Sequence, residues 1–471
     1  MYQVDFSRPA YVYFIGIGGS SMSGLAECCQ RNGWRVSGSD NERSTKTEKL
    51  QKAGIDVRYG QRYENVPKDA DLVVYSAAIN EQNPERVAAR DLGIETMCRG
   101  DFLGQIMDQY QSRIAVSGTH GKTTTTSMIS EIFMAAGTDP TLAIGGVLPS
   151  IHDNFRVGAH DYFIAEACEF TNSYLAMNPT ISIILNIDND HLDFFKSMQG
   201  IRDSFHAFGH KLTKDGFLII NGSIPKLSEL TDDLDATVIT FGTDSSYDYY
   251  YTDLMMDEYW KAHFTLHVSD AVRKRIPALQ NVPASEEFVL GVVGDHNACN
   301  ALSAVAASDL CGIPRESTHA ALLDYTGTER RFQLRGVIGG VSIYDDYAHH
   351  PTEVAAALKT AQKYAKGTCW VCYQPHTYSR TKLLMDDIAQ ALTTADKVIL
   401  TDIMAARETD TLGITAEDLK EKVEKLGTPC YLCPSFEEAE NFILENCING
   451  DLLITMGCGN VVKIADFLVG E

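Results

Sequence analysis

The sequence predicts an α/β fold built on parallel sheets and divided among several domains, and two observations lead there. Three times an apolar, β-branched run passes through a glycine-containing turn into a helix-like stretch, which is the punctuation of parallel strand–helix units. The chain also has 471 residues, more than one compact α/β core usually holds, so two to four domains are expected. Domain boundaries are expected near residues 107 and 326.

The first unit runs from Tyr11–Ile17 through Gly18 and Gly19 into a helical Met22–Cys29. The second runs from Arg113–Val116 through Ser117-Gly118-Thr119-His120-Gly121-Lys122-Thr123 into Thr124–Ala136. The third runs from Val341–Tyr344 through Asp345–Pro351 into Thr352–Tyr364. Short apolar runs at Leu72–Tyr75, Ile181–Asn186, Phe217–Asn221, Lys397–Thr401 and Leu452–Met456 have the character of buried parallel strands. The stretch from Tyr247 to Val289 alternates polar with apolar residues instead, and predicts an antiparallel segment or lobe.

Composition narrows the function classes. Apolar residues make up 44% and charged residues 22%, the balance of a globular enzyme rather than a disordered or fibrous chain. A net charge of −23 opposes any polyanion, so nucleic acid is not expected as a partner. Neither a secretory leader nor an apolar run of membrane-spanning length is present, which predicts a cytoplasmic protein without membrane association. The 12 cysteines are therefore expected as reduced thiols, with Cys369 and Cys372 in a buried strand rather than a metal or redox pair.

The first turn, Gly16-Ile17-Gly18-Gly19-Ser20, lets backbone N–H groups approach a diphosphate at a helix N-terminus. Asp40 follows about 20 residues on, where a dinucleotide fold places a ribose-binding carboxylate. NAD and a UDP-sugar would use the same donors, so the turn alone does not separate them. Gly118-Thr119-His120-Gly121-Lys122-Thr123-Thr124 is more specific. Its glycines, Lys and hydroxyl are spaced to wrap the β and γ phosphates of ATP and one Mg²⁺, in a shortened loop whose usual first glycine falls at Val116. Glu166 and His191 each end an apolar run downstream, where they could reach the metal. Ahead of the small-residue helix Ala301–Ala307, the amide side chains of Asn297 and its neighbours can read an adenine edge, with plain N-capping by Asp295 or Asn297 as the alternative. Arg330-Arg331 forms a positive fork suited to a γ-phosphate.

Taken in order, these pieces resemble the Mur ligases, end to end. The carriers are Gly16–Gly24, Gly118–Thr124, Glu166-Ala167-Cys168-Glu169, Asn186–His191, His296–Asn300, Arg330-Arg331-Phe332, Asp345–Glu353 and Gln374–Thr381. The resemblance implies three domains: a Rossmann-like UDP-sugar domain (1–106), a central ATP-binding phosphate-loop domain (107–325) and a Rossmann-like amino-acid domain (326–471). It also implies ATP-dependent addition of L-alanine to UDP-N-acetylmuramate through an acyl phosphate, in peptidoglycan synthesis. Residues implied for the UDP-sugar are Gly16, Gly18, Gly19, Ser20, Ser39, Asp40, Ser76 and His120. Gly118, Thr119, His120, Gly121, Lys122, Thr123 and Thr124 would hold the phosphates, with Thr123, Glu166 and His191 as Mg²⁺ ligands.

His296 and Asn297 would contact adenine, Arg331 the γ-phosphate, and Asp345 or Asp346 the ribose. Tyr347, His349 and Arg380 would shape the alanine site. Lys122, Glu166, His191, Arg331, His349 and Arg380 are the implied catalytic set. The assembly implied is a monomer or homodimer. Alternatives are a recycling ligase that attaches an intact peptide, and a nicotinamide dehydrogenase. Two departures stand out: Cys168 where the family often has Asp, and Thr377 where it often has Arg. The carbamylated Lys of sister ligases has no counterpart, and nearby His206 is left unassigned.

Overall fold

The computed structural model describes residues 2–76, 78–257, 261–406, 408–410 and 412–470. Three sheets account for its strands. The first holds β1 (Tyr11–Ile15), β2 (Arg35–Asp40), β3 (Asp56–Tyr59), β4 (Leu72–Tyr75) and β5 (Glu95–Cys98), all parallel, in the order β3-β2-β1-β4-β5. That order reverses between β1 and β4, which opens a crevice at their carboxyl ends. All five residues of β1 are buried, as a central parallel strand covered on both faces requires.

The central sheet is mixed. Its middle strands are β6 (Ser112–Ser117), β9 (Tyr162–Glu166), β10 (Ile181–Ile184), β11 (Phe217–Asn221) and β12 (Thr237–Gly242). One edge carries β7 (Thr141–Leu148) with antiparallel β8 (Asp153–Arg156), and the other carries β13 (Tyr249–Met256), β14 (Ala262–Val268) and β15 (Ser285–Leu290). The order is β15-β14-β13-β12-β11-β10-β6-β9-β7-β8. The polar–apolar alternation after Tyr247 thus corresponds to the antiparallel strands β13–β15, which extend the central sheet instead of forming a separate lobe.

These two sheets lie in one compact unit, residues 1–326. Their helices and loops interlock. A Cβ at Gly24 would stand 2.0 Å from the Phe155 ring, Lys49 pairs with Asp153 at 2.8 Å, and Arg31 donates to the Val157 carbonyl at 2.8 Å. One apolar cluster runs from Val12 and Phe14 through Phe102 to Phe163, Phe205 and Leu218.

Residues 327–471 form the second unit. Its sheet joins β16 (Gln333–Ile338), β17 (Val341–Asp346), β18 (Cys369–Tyr373), β19 (Lys397–Leu400), β20 (Cys430–Leu432) and β21 (Leu452–Met456) in the order β16-β17-β21-β18-β19-β20, parallel except for β16. Cys369 and Cys372 are buried in β18, and all 12 cysteines are free thiols. No helix among the described residues is long and apolar enough to cross a membrane.

Candidate active site

At the first crevice, Gly16 takes φ +80° and its N–H bonds the Ser39 carbonyl at 2.8 Å, turning the chain sharply after β1. Gly19 and Ser20 are exposed at the start of the helix Ser20–Arg31, and Ser76 flanks Gly16 from the end of β4. Asp40 accepts the Gly18 N–H at 2.8 Å, so the carboxylate expected at a ribose instead holds the turn in this state. Ser39 departs from expectation. It is wholly buried and donates to Glu85, a buried carboxylate that also accepts from Tyr13 and Asn65. Its hydroxyl braces the sheet and cannot meet a ligand.

The second turn is wired differently. Gly118 and Gly121 adopt φ +139° and +84°, which frees the loop to curl ahead of the helix Lys122–Ala135. Lys122 Nζ donates to the carbonyls of Gly118 (2.6 Å) and Thr119 (3.0 Å) and to Glu169 Oε1 (3.1 Å). Burial favours the neutral amine, but the charges of Glu169 and Glu166 prevail and raise its pKa, so the ammonium persists. The side chains of Lys122 and Glu169 are 13% and 3% exposed, a nearly buried ion pair inside the loop. Glu169 was quoted in the sequence only as part of a motif; its three-residue offset from Glu166 was the available signal.

Thr123 Oγ1 donates to Glu166 Oε2 at 2.7 Å, and Gly145 N–H donates to the same oxygen at 2.9 Å. A Cβ at Gly145 would lie 2.2 Å from that oxygen, so a larger residue would push the carboxylate out of this position. Asn186, after β10, clamps the loop from outside: its Oδ1 accepts His120 N–H (2.8 Å) and its Nδ2 donates to the His120 carbonyl (3.0 Å). His120 Nε2 meets Asp188 Oδ2 at 3.3 Å, and Thr119 Oγ1 accepts the Asp188 N–H. The His191 ring lies 4.7 Å from that of Phe170, tilted by 39°; Phe170 is next to Glu169 in the chain, and Asp190 stands 3.5 Å from His191 Nε2. Cys168 is a thiol whose pKa burial raises, with the Glu169 charge adding to the effect.

Asn300, which the sequence marks only as the last residue of the His296–Asn300 motif, packs against the phosphate loop. It is buried, its amide would touch a Cβ at Gly121 at 3.0 Å, and it donates to Asn297 Oδ1 at 3.3 Å. Asn297 in turn donates to the Val293 carbonyl, and His296 lies exposed over Gly294 at the helix start. Thr124 is half-buried in the first turn of the phosphate-loop helix.

In the second unit, Arg330 and Arg331 behave as individuals. Arg330 pairs with Asp345 at 2.9 Å and donates to the carbonyls of Gly457 and Gly459. Asp345 is 0% exposed and also accepts from Thr455 Oγ1 at 2.7 Å. Enclosed in this way it cannot reach a ribose, which corrects the expectation for Asp345. Asp346 accepts from Phe332 N–H and Ala348 N–H, and burial pushes its pKa up to about 6 against the Arg331 charge. The Arg331 guanidinium lies 5.3 Å from the centre of the Tyr347 ring.

Tyr347, His349 and His376 form a chain of rings with centroids 5.8 and 6.5 Å apart. His349 Nδ1 faces the Tyr347 carbonyl at 3.2 Å and Glu353 at 3.6 Å. Burial and the adjacent Arg380 charge lower the pKa of His376, and its Nδ1 is buried without a hydrogen-bond partner. Arg380 lies close enough to His376 for its charge to act on that ring. Thr377 donates to Glu408 Oε1 at 2.7 Å and Ser379 N–H donates to Oε2 at 2.9 Å, so the position often held by Arg is tied to a carboxylate.

Three family models match the chain: the Mur ligase family catalytic domain over residues 11–111, the Mur ligase middle domain over 116–308, and the Mur ligase glutamate ligase domain over 330–459. A UDP-N-acetylmuramate--L-alanine ligase of Agathobacter rectalis is 50% identical over 469 residues, 100% of both chains. One of Lachnospira eligens is 48% identical over 470 residues, again 100% of both. The solved UDP-N-acetylmuramate-alanine ligase of Thermotoga maritima superposes with a TM-score of 0.79 at 26% identity, covering 98% of each chain. A murein peptide ligase of Psychrobacter arcticus, at 24% identity and a TM-score of 0.71 over 98% of each chain, shares the fold.

Proposed function

This chain belongs to the Mur ligase family, and on that premise we propose that it joins L-alanine to the lactyl carboxylate of UDP-N-acetylmuramate, releasing ADP and phosphate. The observation that carries ATP use is the loop itself: Lys122 held inside it and Thr123 sharing Glu166 with the Gly145 amide. The choice of alanine is supported by full-length relatives that are alanine ligases.

A carboxylate is a poor electrophile, so its oxygen first attacks the γ-phosphorus while the bond to ADP breaks, giving an acyl phosphate. The amine of alanine then adds to the acyl carbon, loses a proton, and expels phosphate. Lys122 and the amides of Gly118–Thr124 hold the phosphates, and Arg331 takes charge on the γ-phosphate; such preorganised donors are the principal means of stabilising phosphoryl transfer. The oxygens of Thr123 and Glu166 lie 2.7 Å apart and are hard donors of the kind Mg²⁺ prefers. They would hold Mg²⁺, with His191 helping a second ion; the metal would neutralise charge between the two anionic substrates.

His296 and Asn297 serve adenine, Asp346 the ribose, and Tyr347, His349 and Arg380 the amino acid, Arg380 pairing with its carboxylate. Gly16, Gly18, Gly19, Ser20, Asp40, Ser76 and His120 serve the UDP-sugar. We assign residues 1–106 chiefly to the UDP-sugar, 107–325 chiefly to ATP and 326–471 chiefly to alanine, with His120 (UDP-sugar) and Arg331 and Asp346 (ATP) as the exceptions, in a cytoplasmic monomer or homodimer. A dehydrogenase would leave Lys122, Thr123 and Glu166 without a task.

A coupled assay tests this. ADP release is expected only with UDP-N-acetylmuramate and L-alanine together; equal turnover without an amino acid, or with tripeptide in place of alanine, overturns it.

A further inference from the structure

Away from the phosphate loop, the helix Met198–Gly209 lies along the short helix Ser228–Thr231, and one stripe of its surface faces that neighbour. Arg202, His206 and His210 follow at four-residue steps, which places them on one face. Arg202 fastens one end of the seam, donating to the carbonyls of Pro225 and Lys226 at 2.9 Å each. At the other end His206 Nε2 meets Asp233 Oδ1 at 2.8 Å, His210 Nε2 meets Asp233 Oδ2 at 3.3 Å, and the two Nε2 atoms stand 3.2 Å apart. The imidazole planes cross at 86°.

We propose that His206, His210 and Asp233 form a divalent transition-metal site, with Zn²⁺ as its ion, separate from the ATP-dependent chemistry. Tetrahedral zinc with bonds near 2.0–2.1 Å spaces its ligands about 3.3 Å apart. The two Nε2 atoms stand 3.2 Å apart, and each faces a different oxygen of the Asp233 carboxylate, at 2.8 and 3.3 Å, so one ion between the imidazoles lies within reach of that carboxylate. Two facing Nε2 atoms can share only one proton, whereas a cation accepts both lone pairs. Two His one helical turn apart present nitrogens to a common point, the spacing that zinc-binding helices use. His210 also caps the helix, where the carbonyl end favours a cation. Asp232 and Asp235 flank Asp233 in the chain and add negative field.

A two-imidazole, one-carboxylate set selects zinc, nickel or copper over magnesium, which prefers oxygen ligands. The side chains are 31%, 45% and 61% exposed, so a fourth position opens to water. Bound metal would fasten the second end of the seam that Arg202 fastens at the first.

The test titrates the full chain with Zn²⁺, free of ATP and Mg²⁺, against a chromogenic chelator, and with Co²⁺ by visible absorption. The wild type is expected to bind one equivalent more than His206→Ala/His210→Ala, with tetrahedral Co²⁺ bands that lack thiolate charge transfer. Asp233→Asn is expected to weaken that equivalent. Ligase turnover in Mg²⁺ is expected to be unchanged in all variants. Equal stoichiometry in wild type and double variant, or a thiolate-type spectrum for the extra equivalent, overturns the proposal. If the double variant melts early in EDTA, His210→Ala alone gives the same reading from an exposed position.

Discussion

The turns after β1 and β6 begin from one design, an apolar parallel strand, a glycine-bearing bend and a helix, and they end with opposite chemistry. After β1 the groups near the bend are a carboxylate on a backbone amide, Asp40 on Gly18, and a buried hydroxyl–carboxylate brace, Ser39 on Glu85. After β6 a buried ammonium lies within the bend, with Glu169 on one side and the Thr123–Glu166 pair on the other. A glycine turn supplies N–H groups and space for any diphosphate. The charged side chains around it decide whether phosphates are only bound or also transferred.

The largest expected effect separates the two turns outright. Lys122→Ala should reduce kcat by at least about 10²–10³-fold, the cost of losing a main electrostatic donor. It also leaves Glu169 as a buried unpaired charge, a penalty of roughly 3–5 kcal/mol that would lower the melting temperature. The double variant Lys122→Ala/Glu169→Gln should recover much of the stability and none of the turnover. Recovered turnover would remove Lys122 from the transfer step. Next, Thr123→Ala should lower turnover about 10- to 100-fold at limiting Mg²⁺ and less at saturating Mg²⁺, with Thr123→Ser near normal. Equal loss at all Mg²⁺ concentrations would assign Thr123 to loop structure alone.

The same contrast explains what could be read beforehand. Strand positions were legible because buried parallel strands are continuous apolar runs: β4, β11 and β21 span the ranges their composition marks. The charged groups of the second turn were legible through local spacing, since Gly118, Lys122 and Thr123 lie within six residues. Glu169, Asn186 and Asn300 reach the loop from three later segments, and only the sheet order brings them there. Ser39 and Asp345 show the opposite failure. Both are polar residues at strand ends, a pattern shared by ligand contacts and buried braces, and the partners that settle the matter, Glu85 and Arg330, are distant in sequence or pointed inward.

A smaller effect tests whether the first turn needs its bare backbone. A Cβ at Gly18 would stand 2.7 Å from Thr47 Cγ2 and 2.9 Å from Asp40 Oδ2, so Gly18→Ala must displace both side chains. The expected result is a KM for UDP-N-acetylmuramate raised about tenfold, near 1.4 kcal/mol, with the KM for ATP unchanged. A rise in both would show that the two turns are coupled within the unit.

Asp40→Ala should have the smallest effect, because it removes the hydrogen bond from the Gly18 amide and a longer, exposed one from the Glu42 amide, typically about 1 kcal/mol each or less, or a fewfold change in KM for the UDP-sugar. The direction carries the information. If Asp40 only holds the turn, its removal loosens the loop and raises KM, and Asp40→Asn, which keeps an acceptor, restores it. If Asp40 leaves Gly18 to take a ribose hydroxyl when substrate binds, the freed amide and the lost acceptor both act, and Asp40→Asn recovers only part of the affinity. Measuring the two variants against UDP-N-acetylmuramate therefore separates a turn that is merely shaped from one that rearranges around its ligand.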